Sequence, residues 1–515
     1  MLFSSISFLY YFLPCVLFLY FLVPRNWKNS VLLIASLFFY AWGEPYYVLY
    51  MLGSIGVGYV AGRLIEKWKA TDSTDANGRA GGKRAAVIGR FDRAQLVLIL
   101  SVGLHIVVLF FFKISSSLPI GISFYTFQVV SYIIDVYRGN VKAQRKLLYF
   151  ATYVSMFPQL IAGPIVRYID IEKQLEHREH SFEKAALGIR RFVLGLAKKV
   201  LLANTLGELC EIFAVSDDKS VLYYWMYAVA FTLHIYFDFS GYSDMAIGLG
   251  KIMGFDYLEN FNYPYISRSI TEFWRRWHMS LGSWFRDYVY IPLGGNRVSK
   301  GRYLLNIFLV WALTGLWHGG AWNFVIWGLF YAVLLMIEKM WLLKHLQKED
   351  VGSVGTLGHL IGNTLRKMIS HIYVLIAVMV GFVIFNAKDM SEAFSYLWAM
   401  FGIETWLGFG AGKLPLVSAE AVYYLKSYGV IFILAIVGAT PMAKNAWAWL
   451  ESKIRGAESP AANGDGEKSS GTKVPTGFVG RCLVIVEFIA LLSLLVAATA
   501  FLVDGSFNPF LYFRF

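Results

Sequence analysis

The chain has 515 residues, 57% of them hydrophobic and 16% charged, with a mean hydropathy of +0.53. Soluble domains run nearer a quarter charged, so the composition excludes a water-soluble globule and predicts an all-α polytopic membrane protein. The net charge of +13 does not indicate nucleic acid, because Lys and Arg fall in short segments between apolar runs, as in cytoplasmic loops of membrane proteins. Three widely spaced cysteines, Cys15, Cys210 and Cys482, offer neither a disulfide framework nor a zinc site.

In chain order, Phe8 to Val23 has no basic residues before it and no small-residue cleavage site after it, so it is expected to stay as a first helix. Apolar runs follow at Ser30–Trp42, Tyr46–Val60, Leu96–Phe112, Ile120–Ile134, Leu148–Ile161 and Leu222–Phe237. Further runs are Tyr303–Ile337, Ile372–Phe385, Ser395–Phe409, Tyr428–Met442 and Leu483–Val503. Several are shorter than the roughly 20 residues of a span, and short Gly- or Pro-interrupted segments form re-entrant or broken helices. About 11 to 13 membrane segments are expected. The segment Arg63–Arg93, with eight Lys/Arg against four Asp/Glu, is placed in the cytoplasm together with the Arg25–Lys28 turn, which leaves the N-terminus outside. The predicted layout is a membrane core over 1–440, a polar, flexible cytoplasmic linker over 441–480, and a last helix with an extracytoplasmic aromatic tail over 481–515.

Four segments hold candidate functional residues. Ser181–Val200 has helical apolar spacing with Arg190, Arg191, Lys198 and Lys199 on the other side, which fits a surface helix touching lipid headgroups or, alternatively, donor phosphates. His234 and Asp238 are four apart and share a helix face, where they either orient an imidazole or act as buried polar glue. Thr271–Arg297 gathers Glu272, Arg275, Arg276, His278, Arg286 and Asp287 among aromatics, as either snorkelling anchors or a functional surface. Tyr303–Ile337 is 35 residues without a charge. One helix of that length would be about 52 Å, too long for a single span, while two full spans and a turn need more residues. A helix pair broken at Gly315, Gly319 and Gly320 resolves this, with His318 at the break. A lone intramembrane histidine can be hydrogen-bonded to a neighbouring helix. Its place at a break also suits a general base that takes a proton from a hydroxyl. No GxSxG elbow, P-loop or dinucleotide fingerprint is present, since Gly241-Tyr242-Ser243 runs on to Asp244-Met245.

The runs Pro119–Gly139, Met156–Tyr168, Tyr236–Gly250, Asn260–Arg297 and Gly315–Gly320 (GLWHGG) together resemble the membrane-bound O-acyltransferase family. The likeness is strongest to its bacterial branch, whose members O-acetylate alginate or D-alanylate teichoic acid. That resemblance implies a ring with a thin floor, where an acyl donor arrives from the cytoplasm and an acceptor from the other side. It implies His318 as the base, with His278 steadying the oxyanion or orienting the donor. Trp317, Arg275, Arg276, Asp238 and Asn296 are the implied donor and substrate contacts. No permanently bound cofactor is expected; acetyl-CoA or another acyl thioester is the implied donor. The implied partners are an extracytoplasmic SGNH-type acetyltransferase, a polysaccharide acceptor and membrane lipids, in a bacterial inner or plasma membrane. The tail FNPFLYFRF (Phe507–Phe515) resembles the aromatic end of a one-helix companion in D-alanylation systems, which makes Tyr512 a candidate acyl relay, against the alternative of an aromatic interfacial anchor. The competing readings are D-alanyl transfer and, in a different class, a transporter or an export-machine scaffold.

Overall fold

Helices account for all the regular structure in the computed structural model, which describes residues 2–76, 92–115, 118–342, 357–403, 414–458, 478–505 and 508–509. The protein is an all-α, multi-pass membrane protein. Among the described residues five helices are long and apolar enough to cross a bilayer, and a bent pair, Ala419–Ser427 and Gly429–Gly438, meets at 57°. Other apolar runs of the sequence fold as shorter helices, such as Lys28–Gly43 and Leu147–Ser155. Protein packed around them satisfies the backbone where the helices stop.

The elements that position the site begin with α1 (Val48–Ala76), α2 (Arg93–Ile114) and α3 (Ile122–Arg138), which pack together. α4 (Phe182–Ala197) lies along α5 (Val221–Ile252), the longest helix among the described residues. At 32 residues α5 runs about 48 Å, and its residues enter both large apolar cores. Phe239, Tyr242 and Met245 pack with Phe8, Phe157 and Tyr132 in one; Phe231, Tyr236 and Phe237 pack with Phe213, Tyr331 and Phe382 in the other. A helix buried on all sides needs neighbours at close range.

Glycine supplies that range. A Cβ on Gly188 would stand 2.6 Å from the Gly248 carbonyl oxygen, and one on Gly195 would stand 2.6 Å from that of Gly241. These two pairs bring the α4 and α5 backbones into contact along the same seam, as small residues do between membrane helices. The basic residues of α4 and its π-helical continuation Lys198–Ala203 are therefore not turned to lipid headgroups. Arg190 pairs with Glu487 at 2.9 Å, Lys198 with Asp244 at 2.7 Å, and Lys199 with Asp238 at 2.6 Å; Arg191 bridges Asp244 and Glu259. Helical periodicity identifies the polar face but not what covers it, and here carboxylates of α5, of the loop after it and of the last helix do so.

Short helices α6 (Ile270–Arg276) and α7 (Met279–Phe285) precede the hairpin of α8 (Lys300–His318) and α9 (Trp322–Ile337), which packs on α10 (Leu357–Asn386). The hairpin turn falls at residues 319–321, where the uninterrupted apolar run requires a break. Part of the predicted flexible linker is folded: Met442–Glu458 is helix α11, a stretch rich in the helix formers Ala, Lys, Leu and Glu. The last helix, α12 (Phe478–Val503), lies against α4. Beyond it, Asn508 donates to the Ser4 carbonyl at 2.7 Å and accepts from Asn204 at 3.2 Å, while Lys199 donates to the Pro509 carbonyl. Tyr512 lies outside the described residues.

Candidate active site

α8 ends on His318, and Gly319 continues in an extended conformation. Space fixes these residues: a Cβ on Gly315 would meet the Phe324 carbonyl oxygen at 2.5 Å, and one on Gly319 would meet the Phe324 ring at 2.6 Å. Lys113, near the end of α2, donates to the His318 carbonyl at 3.2 Å and lies 5.6 Å from the Trp317 ring centre, so a cation caps the carbonyl end of α8. The His318 ring is held by aromatic contacts, with Trp327 at 5.1 Å and Phe385 at 5.0 Å between centroids. It makes no side-chain hydrogen bond among the described residues.

His278 joins α6 to α7 with φ 45° and ψ 54°. A left-handed conformation is uncommon outside glycine and costs energy that surrounding contacts must offset. Those contacts centre on Asn260. Its Oδ1 accepts from His278 Nδ1 at 3.1 Å, from Ser280 Oγ at 2.9 Å and from the Ser280 backbone N–H at 3.3 Å. Its carbonyl accepts from Met279 N at 2.9 Å, and its Nδ2 donates to Ser243 on α5 at 3.1 Å. His278 is 3% exposed and packs on Phe239 at 4.7 Å.

The two histidines flank one indole: Trp317 lies 6.3 Å from His278 and 4.7 Å from His318 between ring centroids. Both line one cavity of about 710 Å³, which continues past Trp311, Trp274 and Phe382 to Arg275, Arg286 and Lys339. Tyr303, near the start of α8, and His318, at its end, line the same cavity. At 1.5 Å per residue the cavity thus follows about 22 Å of the hairpin. Arg275, Arg286 and Lys339 are exposed, which marks that end as the mouth. Arg286 is committed to Asp287 at 2.7 Å. Burial alone would raise the Asp287 carboxyl, but hydrogen bonds and charge from Arg286 and Arg167 outweigh it and hold the group below its ordinary value. Arg275 makes no ion pair among the described residues. The base of the hairpin is locked by Glu338, whose carboxylate accepts the backbone N–H groups of Ile270 at 2.5 Å and Thr271 at 2.9 Å at the start of α6.

His318, His278, Arg275 and Asp238 thus meet on one cavity. Asp238 does so while paired to Lys199 at 2.6 Å, and His234 Nδ1 lies 2.6 Å from the Ala203 carbonyl oxygen, so each ties α5 to the Lys198–Ala203 segment. Trp317 is buried against Phe127 at 5.5 Å, behind the wall. Arg276 is bound to Glu272 at 2.9 Å and to the Asn262 carbonyl at 3.1 Å, and Asn296 is exposed in the turn after Gly295; neither lines the cavity. Sequence reading passed over Asn260, Lys113 and Lys339. Lys113 had a signal, a single cation at the end of an apolar run; Asn260 had none. Among the described residues no three His, Cys, Asp or Glu side chains are grouped to hold a metal ion.

The model of the membrane-bound O-acyltransferase family matches residues 142–348, a stretch that contains Asn260 and both histidines. The chain is 37% identical over 539 residues to the probable alginate O-acetylase AlgI of Azotobacter vinelandii, and 36% identical over 558 residues to that of Pseudomonas aeruginosa, with both chains covered in full in each case. It is 30% identical to the peptidoglycan O-acetyltransferase of Helicobacter pylori over 78% of this chain and 80% of that one. The chain belongs to the membrane-bound O-acyltransferase family. As a family member it is an O-acyltransferase.

Proposed function

We propose that the chain takes an acetyl group from a cytoplasmic thioester, acetyl-CoA or another acyl thioester, for O-acetylation of a cell-surface polysaccharide in the bacterial inner membrane. The observation that carries this reading is the cavity itself, which leads from a mouth with Arg275 and Lys339 to two imidazoles at its deep end. Phosphates of a thioester donor suit the cationic mouth, and aromatic walls suit its uncharged arm. Arg and Lys on the segments around this mouth favour the cytoplasmic side. The full-length match to proteins named alginate O-acetylases supports acetyl as the group and polysaccharide as the acceptor.

In the proposed step His318 removes the proton of an acceptor hydroxyl as its oxygen attacks the thioester carbon. The C–O bond forms, the C–S bond breaks, and the proton passes from His318 to the departing sulfur. An SGNH-type partner outside the membrane then places the group on the polymer. Tyr512 is proposed as the hydroxyl that relays it; the bonds of Asn508 and Pro509 to Ser4, Asn204 and Lys199, a few residues before Tyr512 in the chain, support this reading. The test is ester content of surface polysaccharide in cells carrying wild type or His318→Ala, with membrane abundance of the protein measured in parallel. Loss of ester at normal abundance is expected. Unchanged ester would favour an export scaffold instead.

A further inference from the structure

The hydrogen bonds around Asn260 decide what His278 can do. A backbone N–H only donates, so the Asn260 atom facing the Ser280 N–H is the amide oxygen. His278 Nδ1 faces that same oxygen and must therefore be the protonated nitrogen. The neutral ring then carries its lone pair on Nε2, a buried atom with no hydrogen-bond partner among the described residues. An acceptor nitrogen of this kind repels an oxyanion rather than steadying it, which removes one of the two roles expected for His278.

What remains is to receive a hydrogen bond from whatever fills the cavity. We propose that Asn260 is a positioning residue that holds His278 Nε2 as the acceptor for an amide N–H in the thiol arm of the donor. This rests on the thioester reading above. A thioester of a 2-acylaminoethanethiol has that N–H two carbons from its sulfur. His278 lies beside Trp317, next to His318, so an arm whose carbonyl reaches His318 brings the amide alongside His278. The specificity determined here is for the donor: a β-amido thioester over one lacking the N–H. Asn260 is tied to α5 through Ser243 and to α7 through Ser280 and Met279, so the acceptor edge is fixed before the donor enters.

The experiment compares two probes in inverted membrane vesicles, with thiol release over the His318→Ala background as the readout. One is the S-acetyl thioester of N-acetylcysteamine; the other is the S-acetyl thioester of 2-mercaptoethyl acetate, in which an ester oxygen replaces the N–H. Wild type is expected to favour the amide probe about ten-fold in kcat/KM, because the second probe sets an oxygen lone pair against that of Nε2. Asn260→Leu should bring the ratio near one, while Asn260→Asp, which still accepts from Nδ1, should keep it. If Asn260→Leu does not accumulate, His278→Phe, an apolar ring between Phe239 and Trp317, should give the same collapse. Equal use of the probes by wild type, or a ratio kept in Asn260→Leu or His278→Phe, overturns the proposal. Release from neither probe overturns the thioester reading and this inference with it.

Discussion

Two helix pairs of this protein bury polar side chains and treat them in opposite ways. Along the α4–α5 seam the buried charges are paired: Lys199 meets Asp238, Asn204 and the Pro509 carbonyl, and Asp244 meets Arg191 and Lys198. At the α8–α9 hairpin the imidazole of His318 packs on rings and makes no hydrogen bond among the described residues, and nearby His278 keeps one nitrogen unbonded. Buried polar groups are normally satisfied because leaving one bare costs about 1–3 kcal/mol. The seam therefore reads as structure, and the cavity reads as a place where a ligand completes the bonding. Backbone geometry agrees, since the seam residues are helical throughout, α or π, while His278 sits in the left-handed region.

The largest effect that sharpens this contrast is loss of His318. His318→Ala should lower acetyl transfer by about 10²–10⁴-fold while leaving the melting of the detergent-solubilised protein within about 1 kcal/mol of wild type, since the ring makes no hydrogen bond to lose. A large drop in stability would place His318 with the structural residues. The reverse is expected at the seam. Lys199→Met strands Asp238, whose side chain is 2% exposed, and should destabilise by about 3–5 kcal/mol, read as a lower melting temperature and lower membrane abundance. Adding Asp238→Leu should recover most of that loss, because removing both charges removes the unpaired one. If the double variant folds but transfers no acetyl group, Asp238, which also faces the cavity, serves chemistry as well.

A third test addresses the glycine pairs. Gly195→Val puts side-chain atoms where the Gly241 carbonyl oxygen stands and should cost about 1–3 kcal/mol by forcing α4 off α5. Gly53→Val, at a position with nothing within 4 Å of its Cβ, is the control and should change stability by less than about 0.5 kcal/mol. Equal effects would mean that close approach is not what the seam requires.

Much of the hairpin was legible in the sequence because length alone forces it: 35 uncharged residues fit neither one span nor two, so a break at the glycines and a histidine within it follow. The all-helical class was legible for the same reason, from runs of apolar residues. The partners of the α4 cations were not, since periodicity says which residues share a face and nothing about the carboxylates 46 or 53 positions away that meet them. Asn260 was hidden for a similar reason. Its role depends on a loop being brought to residues 18 and 20 positions further on, and an asparagine in an aromatic loop carries no mark of that. The helical start of the polar stretch after Met442 was missed because its composition, rich in Ala, Lys and Glu, suits a linker and a helix equally well.

The finest distinction concerns two neighbouring arginines that sequence could not tell apart. Arg275 is exposed at the mouth with no ion pair among the described residues, whereas Arg276 is bound to Glu272 and the Asn262 carbonyl. If the mouth receives phosphates, Arg275→Gln should raise KM for acetyl-CoA by roughly 2–5-fold, the worth of one exposed charge interaction of about 0.5–1 kcal/mol. The increase should shrink towards one at 1 M salt, where the Debye length falls to about 3 Å. The same variant should leave KM unchanged for the S-acetyl thioester of N-acetylcysteamine, which has no phosphate. Arg276→Gln should leave KM for both donors unchanged, because its charge is already spent within the protein. A matched rise in both variants would mean that the whole rim attracts the donor as a diffuse field and that no single residue receives it. A rise confined to Arg275 would make the mouth a defined phosphate contact, continuous with the two imidazoles at the far end of the same cavity.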